Sequence, residues 1–161
     1  MPAQCEFSLG YRLNRQLNLG SIREKSTHAS DTVVNQVLDW VRMLGPSWTV
    51  RIVDNQAGSP NHFLRFIPSD MLPECFVKGT HHGKFQGPHS ADFVRVPLVY
   101  LYGGASLDVG TYLTRHPERW MWSPLEDETS GVELVITLFY GSVLSNSFVA
   151  ARKGNEWMKR W

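Results

Sequence analysis

The sequence contains little cysteine and almost no net charge. Cys5 and Cys75 are its two cysteines, which are too few for a disulfide scaffold and lack zinc-ligand spacing, so a reducing compartment is the expectation. Sixteen basic residues against fifteen acidic residues leave a formal charge of +1. A nucleic-acid-binding protein needs a basic face that displaces counterions. The charge balance therefore argues against that class, and a charged ligand would have to be bound by a few local groups.

The sequence also lacks a long apolar run. Its longest candidate is the stretch from Val96 to Tyr102, whereas a membrane helix needs about 20 apolar residues. The N-terminus has no basic region followed by an apolar stretch, so no secretory signal is expected. We expect a cytoplasmic location by default, with the Golgi lumen as the alternative if an anchor lies outside this chain. A hydrophobic fraction of 42% argues against disorder.

Hydrophobic periodicity predicts helices that alternate with strands. Apolar residues recur at helical spacing before the break at Gly45-Pro46, and alternating branched and aromatic residues follow it. Such alternation predicts one domain with a layered α/β fold and a mostly parallel sheet. Residues 1–28 are weakly patterned and are expected to form an arm, with the domain at 29–161. The predicted helices and strands lie at residues 30–44, 48–53, 88–102, 105–109, 134–140 and 155–161.

One segment in the middle of the chain carries residues suited to chemistry. Asp92 and Arg95 are three apart, so they share one face of the predicted helix. Gly103-Gly104 ends that helix and turns the chain, and the strand that follows would bring Asp108 close to the same face. Carboxylates accept hydrogen bonds from hydroxyl groups, and arginine binds phosphate or sugar oxygens. The competing interpretation is a surface ion pair and a turn cap.

Residues 91–108 have the pattern A-D-x-x-R, seven residues and then G-G-x-x-x-D. This complete pattern resembles the core motif of nucleotide-sugar-dependent glycosyltransferases with the GT-A fold. The group concerned contains capsular polysaccharide synthesis proteins, DXD-motif sugar transferases and clostridial glucosylating toxins, with a pattern of approximately S-D-x-x-R and Y-G-G-x-Y-x-D-x-D. Residues 37–50 and 146–161 resemble flanking segments of that family, so the resemblance covers roughly residues 35–161. It implies a GT-A-like, Rossmann-type layered sheet with flanking helices, and is more specific than a lone D-x-D.

The resemblance also implies a reaction. A sugar would pass from a nucleotide-sugar donor to the hydroxyl of a glycan or small-molecule acceptor, with retention of anomeric configuration and assistance from the donor diphosphate. Asp92 and Arg95 would contact the donor sugar and diphosphate, and Asp108 the ribose or sugar, so Asp92 and Asp108 are the implied catalytic residues. The implied substrate-binding residues are Asp92, Arg95, Gly103, Gly104 and Asp108. Two further candidates follow from position alone. His89, just before Asp92, would contact the donor, and Asn146, just before a strand, would contact the acceptor or the leaving group; a polar loop and a turn residue are the favoured alternatives.

The sequence departs from the family motif at the second acid of D-x-D, where it has Gly110. Mn²⁺ or Mg²⁺ bridges a diphosphate through carboxylate ligands, so metal binding should be weak or absent, and Arg95 or Arg115 could supply part of the missing positive charge. The D-V-G variant resembles one found among fungal relatives of the capsular proteins. No first strand is recognisable in residues 1–28, and the chain is short for a GT-A domain. The alternative is therefore a truncated, non-catalytic remnant that binds nucleotide sugar weakly or not at all.

Other polar and aromatic side chains are weaker candidates. Adjacent histidines point in different directions, and no cysteine or carboxylate stands at ligand spacing from them. For each candidate a structural role is the favoured interpretation. The candidates are a zinc cluster of His81, His82 and His89, a nucleophilic Cys75, an acceptor-side carboxylate among Glu126, Asp127 and Glu128, and an acceptor-groove indole at Trp120 or Trp122.

Overall fold

Five strands form one sheet with helices packed against it. The computed structural model describes residues 16–20, 31–82, 86–108, 110–139 and 141–161. No helix within these residues is long and apolar enough to cross a bilayer. The helices and strands are β1 (Gln16–Gly20), α1 (Asp31–Leu44), β2 (Thr49–Val53), α2 (Glu74–Val77), α3 (Gln86–Tyr102), β3 (Gly104–Leu107), α4 (Ser123–Glu126), β4 (Leu134–Phe139), β5 (Val143–Ala151) and α5 (Glu156–Arg160).

The sheet is mixed, with the strand order β2-β1-β3-β5-β4. β1 is parallel to both β2 and β3, whereas β5 is antiparallel to both β3 and β4. The predicted layered α/β fold is confirmed, but the expected mostly parallel sheet holds for one half only. For β4 and β5 the reason is local, because the connection between them is far too short for the crossover that a parallel pair requires.

β1 was not expected from the sequence. The prediction of an arm throughout residues 1–28 is wrong for residues 16–20, which lie between β2 and β3 in the sheet. This pentapeptide, QLNLG, is poor in branched and aromatic residues, so its strand conformation depends on pairing with a neighbour on each side rather than on local preference. The rest of that segment lies outside the described residues.

The predicted helices are confirmed with small shifts at their ends. α3 begins two residues before the expected start at Pro88 and continues through Pro97. α5 follows Asn155, whose side-chain oxygen accepts hydrogen bonds from the backbone N–H groups of Trp157 and Met158 at 3.0 and 3.1 Å. This is the arrangement of a helix N-cap.

The two faces of β3 contact different parts of the core. Ala105 and Leu107 pack in a cluster that also contains Trp40 and Leu44 of α1. Since side chains alternate along a strand, Ser106 and the residue after the strand, Asp108, point to the opposite face, where α3 lies. The alternation therefore directs Asp108 toward α3 and away from α1.

Candidate functional site

Arg95 lies between two carboxylates at the end of β3. Its Nη1 donates a hydrogen bond to Oδ1 of Asp92 at 3.1 Å, and its Nη2 donates to Oδ1 of Asp108. The Arg95 side chain is 2% exposed, whereas those of Asp92 and Asp108 are 41% and 39% exposed. The structure thus brings together the three residues that the sequence pattern singled out, with the cation buried and the two acids facing solvent.

The backbone on both sides of Asp108 is fixed by hydrogen bonds. Its N–H donates to the carbonyl of Ser147 on β5 at 2.8 Å, which extends the antiparallel pairing of β3 and β5 by one residue. Its carbonyl accepts a hydrogen bond from the N–H of Thr111 at 3.0 Å. The chain therefore turns immediately after the strand and leaves the Asp108 carboxylate at the edge of the sheet.

Asn146 joins this cluster from β5. Its Nδ2 donates to Oδ1 of Asp92 at 2.7 Å. The register between β4 and β5 shifts here: Val149 pairs with Ile136, but Ser145 pairs with Thr137. An irregularity of this kind can redirect a side chain, and it accompanies the approach of Asn146 to α3. Asn146 lies within β5, and not before a strand as the sequence suggested.

The cluster as a whole is anionic, because two carboxylates surround one guanidinium. Burial raises the pKa of the Asp108 carboxyl, Arg95 opposes this effect by lowering it, and the nearby Asp92 raises it again, so that the pKa lies above its ordinary value. Exposed carboxylate oxygens beside a buried, already bonded guanidinium accept hydrogen bonds readily. They are suited to a ligand that carries hydroxyl groups and are poorly suited to a phosphate.

Gly103 and Gly104 are not brought to the acids. Gly104 begins β3 and Asp108 follows its end, a separation of about 13 Å along a strand. Gly103 has φ +69°, and a Cβ at this position would lie 2.7 Å from the backbone nitrogen of Lys153. Glycine is required here by the close approach of two backbones, and this requirement accounts for the conformation without any ligand.

His89 lies one helical turn before Asp92 and is exposed. Its ring centroid is 6.1 Å from that of His81, whose ring in turn packs edge-on against Phe93 at 5.4 Å. His82 is exposed beside them. Across the part of the chain that the structure describes, no group of three histidine, cysteine or acidic side chains could hold a metal ion. The two interacting histidines thus belong to the packing around the N-terminal part of α3.

The acidic loop contains a capping residue. Oδ1 of Asp127 accepts hydrogen bonds from the N–H and the hydroxyl of Thr129 at 2.9 and 2.6 Å. These bonds lower the pKa of the Asp127 carboxyl, and burial and Arg152 act more weakly in opposite directions. Asp127 caps the short turn that follows it, in agreement with the structural interpretation of this loop.

The remaining candidates have structural contacts of their own or are exposed. Arg115 stacks over the Trp120 ring at 5.5 Å, so its guanidinium contacts an indole. Trp122 is buried against Trp48 with ring centroids 5.1 Å apart, as packing predicts. Cys75 is an exposed free cysteine on α2.

Sequence reasoning missed Gln36, which is 5% exposed and contacts the turn after Asp108. Its Oε1 accepts from the N–H of Gly110 at 3.1 Å, and its Nε2 donates to the carbonyl of Thr111 at 2.7 Å. A signal was present, because Gln36 precedes Trp40 by one helical turn and therefore lies on the buried face of α1. A polar residue on an apolar helix face needs a partner inside the protein.

Known proteins with similar sequences are fungal glycosyltransferases. The chain is 46% identical over 125 residues to the probable glycosyltransferase FCK3 of Fusarium pseudograminearum. The aligned residues make up 78% of this chain and 32% of that protein. It is 41% identical over 139 residues to the O-glycosyltransferase braB of Annulohypoxylon truncatum, covering 84% and 33%, respectively. It is 45% identical over 129 residues to the glycosyltransferase afumC of Aspergillus fumigatus, covering 78% and 33%. No protein-family model matches the chain.

A solved structure shares the fold. The PaToxG glycosyltransferase superposes with a TM-score of 0.56 and 12% identity over 91% of this chain and 58% of that chain. This likeness confirms the predicted GT-A-like layered arrangement of sheet and helices. The sequence similarity and the shared fold together relate this chain to a glycosyltransferase family. The chain spans about a third of the length of these fungal relatives.

Proposed function

We propose that this chain supplies the sugar-binding part of a glycosyltransferase that moves a sugar from a nucleotide-sugar donor to an acceptor hydroxyl. The observation that carries the proposal is the buried Arg95, which holds the carboxylates of Asp92 and Asp108 side by side and facing outward. The name of one relative, an O-glycosyltransferase, supports oxygen as the acceptor atom.

In this proposal the two acids bind the donor sugar directly. Asp92 and Asp108 accept hydrogen bonds from its hydroxyl groups, since their side chains are 41% and 39% exposed. Arg95 is 2% exposed and uses both terminal nitrogens on the carboxylates. Arg95 is therefore a positioning residue that orients the two acids, and contact with the diphosphate falls to other groups.

The proposed transfer proceeds with retention of configuration. The acceptor oxygen forms a bond to the anomeric carbon while the bond from that carbon to the diphosphate oxygen breaks. The acceptor oxygen approaches from the face that the diphosphate leaves, so the configuration is retained without a protein nucleophile. The acceptor hydroxyl proton passes to the departing diphosphate, which takes the place of a general base. Holding the sugar in one orientation by two fixed acceptors is the contribution that this geometry supports.

The residues near the two acids do not fit a divalent cation. A hard cation binds through several carboxylate, carbonyl and water oxygens, but Asp92 and Asp108 both accept hydrogen bonds from Arg95. At the position of the second acid, Gly110 offers no side-chain oxygen. We therefore propose that donor binding at this site does not depend on Mn²⁺ or Mg²⁺, and we assign no step to a metal.

Calorimetric titration with UDP-glucose and GDP-mannose tests the proposal. The wild-type chain should bind one of them saturably in the presence of EDTA, and Asp92→Asn or Asp108→Asn should weaken binding at least about tenfold, because a fixed acceptor becomes a partial donor. Asp39→Asn is the matched control, since Asp39 is a 68% exposed acid on α1 that pairs with Arg42.

The outcomes separate the possible failures. Absence of saturable binding by the wild type would overturn the proposed transferase and favour the non-catalytic remnant. Binding that survives both substitutions would show that the sugar lies elsewhere. Binding that Mn²⁺ tightens strongly would contradict the proposed metal independence.

A further inference from the structure

The turn that follows Asp108 is held by a side chain from a distant helix. Gln36 on α1 accepts a hydrogen bond from the N–H of Gly110 at 3.1 Å and donates one to the carbonyl of Thr111 at 2.7 Å. The indole nitrogen of Trp40 donates to the same Thr111 carbonyl at 3.1 Å. Two side chains on one face of α1 therefore bind the backbone of this turn.

A primary amide is well suited to this position. It is the one side-chain group with a fixed acceptor and a fixed donor on the same carbon, and Gln36 uses one of each on neighbouring backbone groups. Because Gln36 is only 5% exposed, water cannot easily replace these bonds after its removal. Gly110 has φ +112°, a conformation that glycine adopts readily and other residues rarely do.

This turn helps to determine the direction of the Asp108 side chain. The Asp108 carbonyl accepts from the N–H of Thr111 at 3.0 Å, and its own N–H donates to Ser147 at 2.8 Å. β5 therefore fixes one side of the residue, and the turn held by Gln36 fixes the other. Released from Gln36, the turn could rotate the Asp108 carboxylate away from Arg95.

We infer that Gln36 is a positioning residue for donor binding, acting through the Gly110–Thr111 backbone to hold Asp108 in its sugar-binding orientation. This inference rests on the proposed function. It assigns to α1 a role beyond packing, and it connects the site to a residue 74 positions before Gly110 in the chain.

The test compares Gln36→Leu, which removes both hydrogen bonds, with Ile67→Val, a truncation at a 1% exposed core residue in a different cluster. Melting temperature and the Kd for UDP-glucose and GDP-mannose are measured for both variants of the full chain. We expect Gln36→Leu to weaken donor binding about 10- to 100-fold, the loss typical of a misplaced binding group. Ile67→Val should stay within about twofold of wild type, since a remote core truncation leaves binding geometry intact.

A spectroscopic readout separates positioning from general stability. Amide hydrogen exchange measured by NMR should be at least about tenfold faster at Gly110 in Gln36→Leu, because its N–H loses its acceptor. The N–H of Met158, bonded to Asn155 at 3.1 Å, serves as the internal reference and should be unchanged. Gln36→Met keeps the length of the side chain and also removes both hydrogen bonds, so it carries the same test if Gln36→Leu does not fold.

Three results would overturn the inference. Gln36 would contribute only to fold stability if its variants had a lower melting temperature but kept the wild-type Kd. The contact would be unimportant if Gly110 exchange did not change. If the wild type bound neither sugar nucleotide, the proposed function itself would fail and the positioning role with it, whereas the first two results leave the proposed function intact.

Discussion

Replacement of Arg95 by methionine tests whether the buried cation holds the two acids in place. Methionine retains an apolar stem of similar length but removes the charge and both hydrogen bonds to Asp92 and Asp108. The variant should be less stable than the wild type at neutral pH, and it should lose donor binding because the carboxylates are no longer oriented.

The size of the loss follows from burial. A hydrogen bond between charged groups contributes about 1.5–3 kcal/mol, and removing one partner of a fully buried ion pair costs about 3–5 kcal/mol. Here the remaining carboxylates are 41% and 39% exposed, so water can hydrate them, and the burial cost of the guanidinium disappears. We therefore expect a loss of about 2–3 kcal/mol in the free energy of unfolding at pH 7.

The loss should depend on pH. Burial raises the pKa of Asp108, Arg95 lowers it and Asp92 raises it, so removal of Arg95 raises the pKa further. An acid whose folded pKa exceeds its unfolded value stabilises the fold fully below the unfolded pKa, and that stabilisation is lost as the pH rises through the folded pKa. The deficit of Arg95→Met relative to wild type should therefore narrow as the pH falls from 7 toward 4.

Urea unfolding at pH 7 and pH 4.5 provides the measurement, and the chain contains a matched control. Arg42 and Asp39 form another arginine–aspartate pair at spacing i,i+3 with the same N–O distance of 3.1 Å, but their side chains are 74% and 68% exposed. Arg42→Met should change stability by less than about 0.5 kcal/mol at either pH. An equal effect of the two substitutions, or a deficit for Arg95→Met that stays constant with pH, would refute the reasoning.

Three further substitutions test individual features of the site. Asp108→Asn removes a carboxylate that pairs with Arg95, but the difference in melting temperature between variant and wild type should shift in the variant's favour from pH 4 to pH 7, because burial raises the pKa of Asp108 and makes its ionised form less favourable in the fold. An opposite pH trend in calorimetric scans would contradict this effect of burial. Gly110→Asp restores a carboxylate at a position where a Cβ has no neighbour within 4 Å. The positive φ should cost about 1–3 kcal/mol of stability. Binding of UDP-glucose should then respond to Mn²⁺ in Gly110→Asp but not in the equally strained Gly110→Asn. Gly103→Ala should destabilise the chain by at least about 1–3 kcal/mol, because its Cβ would lie 2.7 Å from the Lys153 nitrogen; a loss of donor affinity in the folded protein would instead indicate that Gly103 contacts the ligand.

The local part of the site could be predicted from the sequence. Asp92 and Arg95 share a helix face because they are three residues apart, and that spacing allows their 3.1 Å contact. The short strand after the glycine pair directs Asp108 toward the same helix by alternation. The predicted helices and strands were found with small shifts at their ends for the same reason, since periodicity and capping residues act over one or two turns of chain.

The non-local part was decided by the tertiary structure. β1 has little strand preference of its own and is a strand because β2 and β3 lie on either side. Gln36 reaches Gly110 across 74 positions, and Asn146 reaches Asp92 across 54 positions at a register shift in the sheet.

By itself, the sequence determined which residues carry the acids and the cation of this protein, because those residues lie within one helix and the strand that follows it. Only the tertiary structure decided which distant side chains hold them. Contacts of that kind depend on the packing of α1, α3 and β5 around β3, and a polar residue in a helix or strand does not reveal its partner until those elements are assembled.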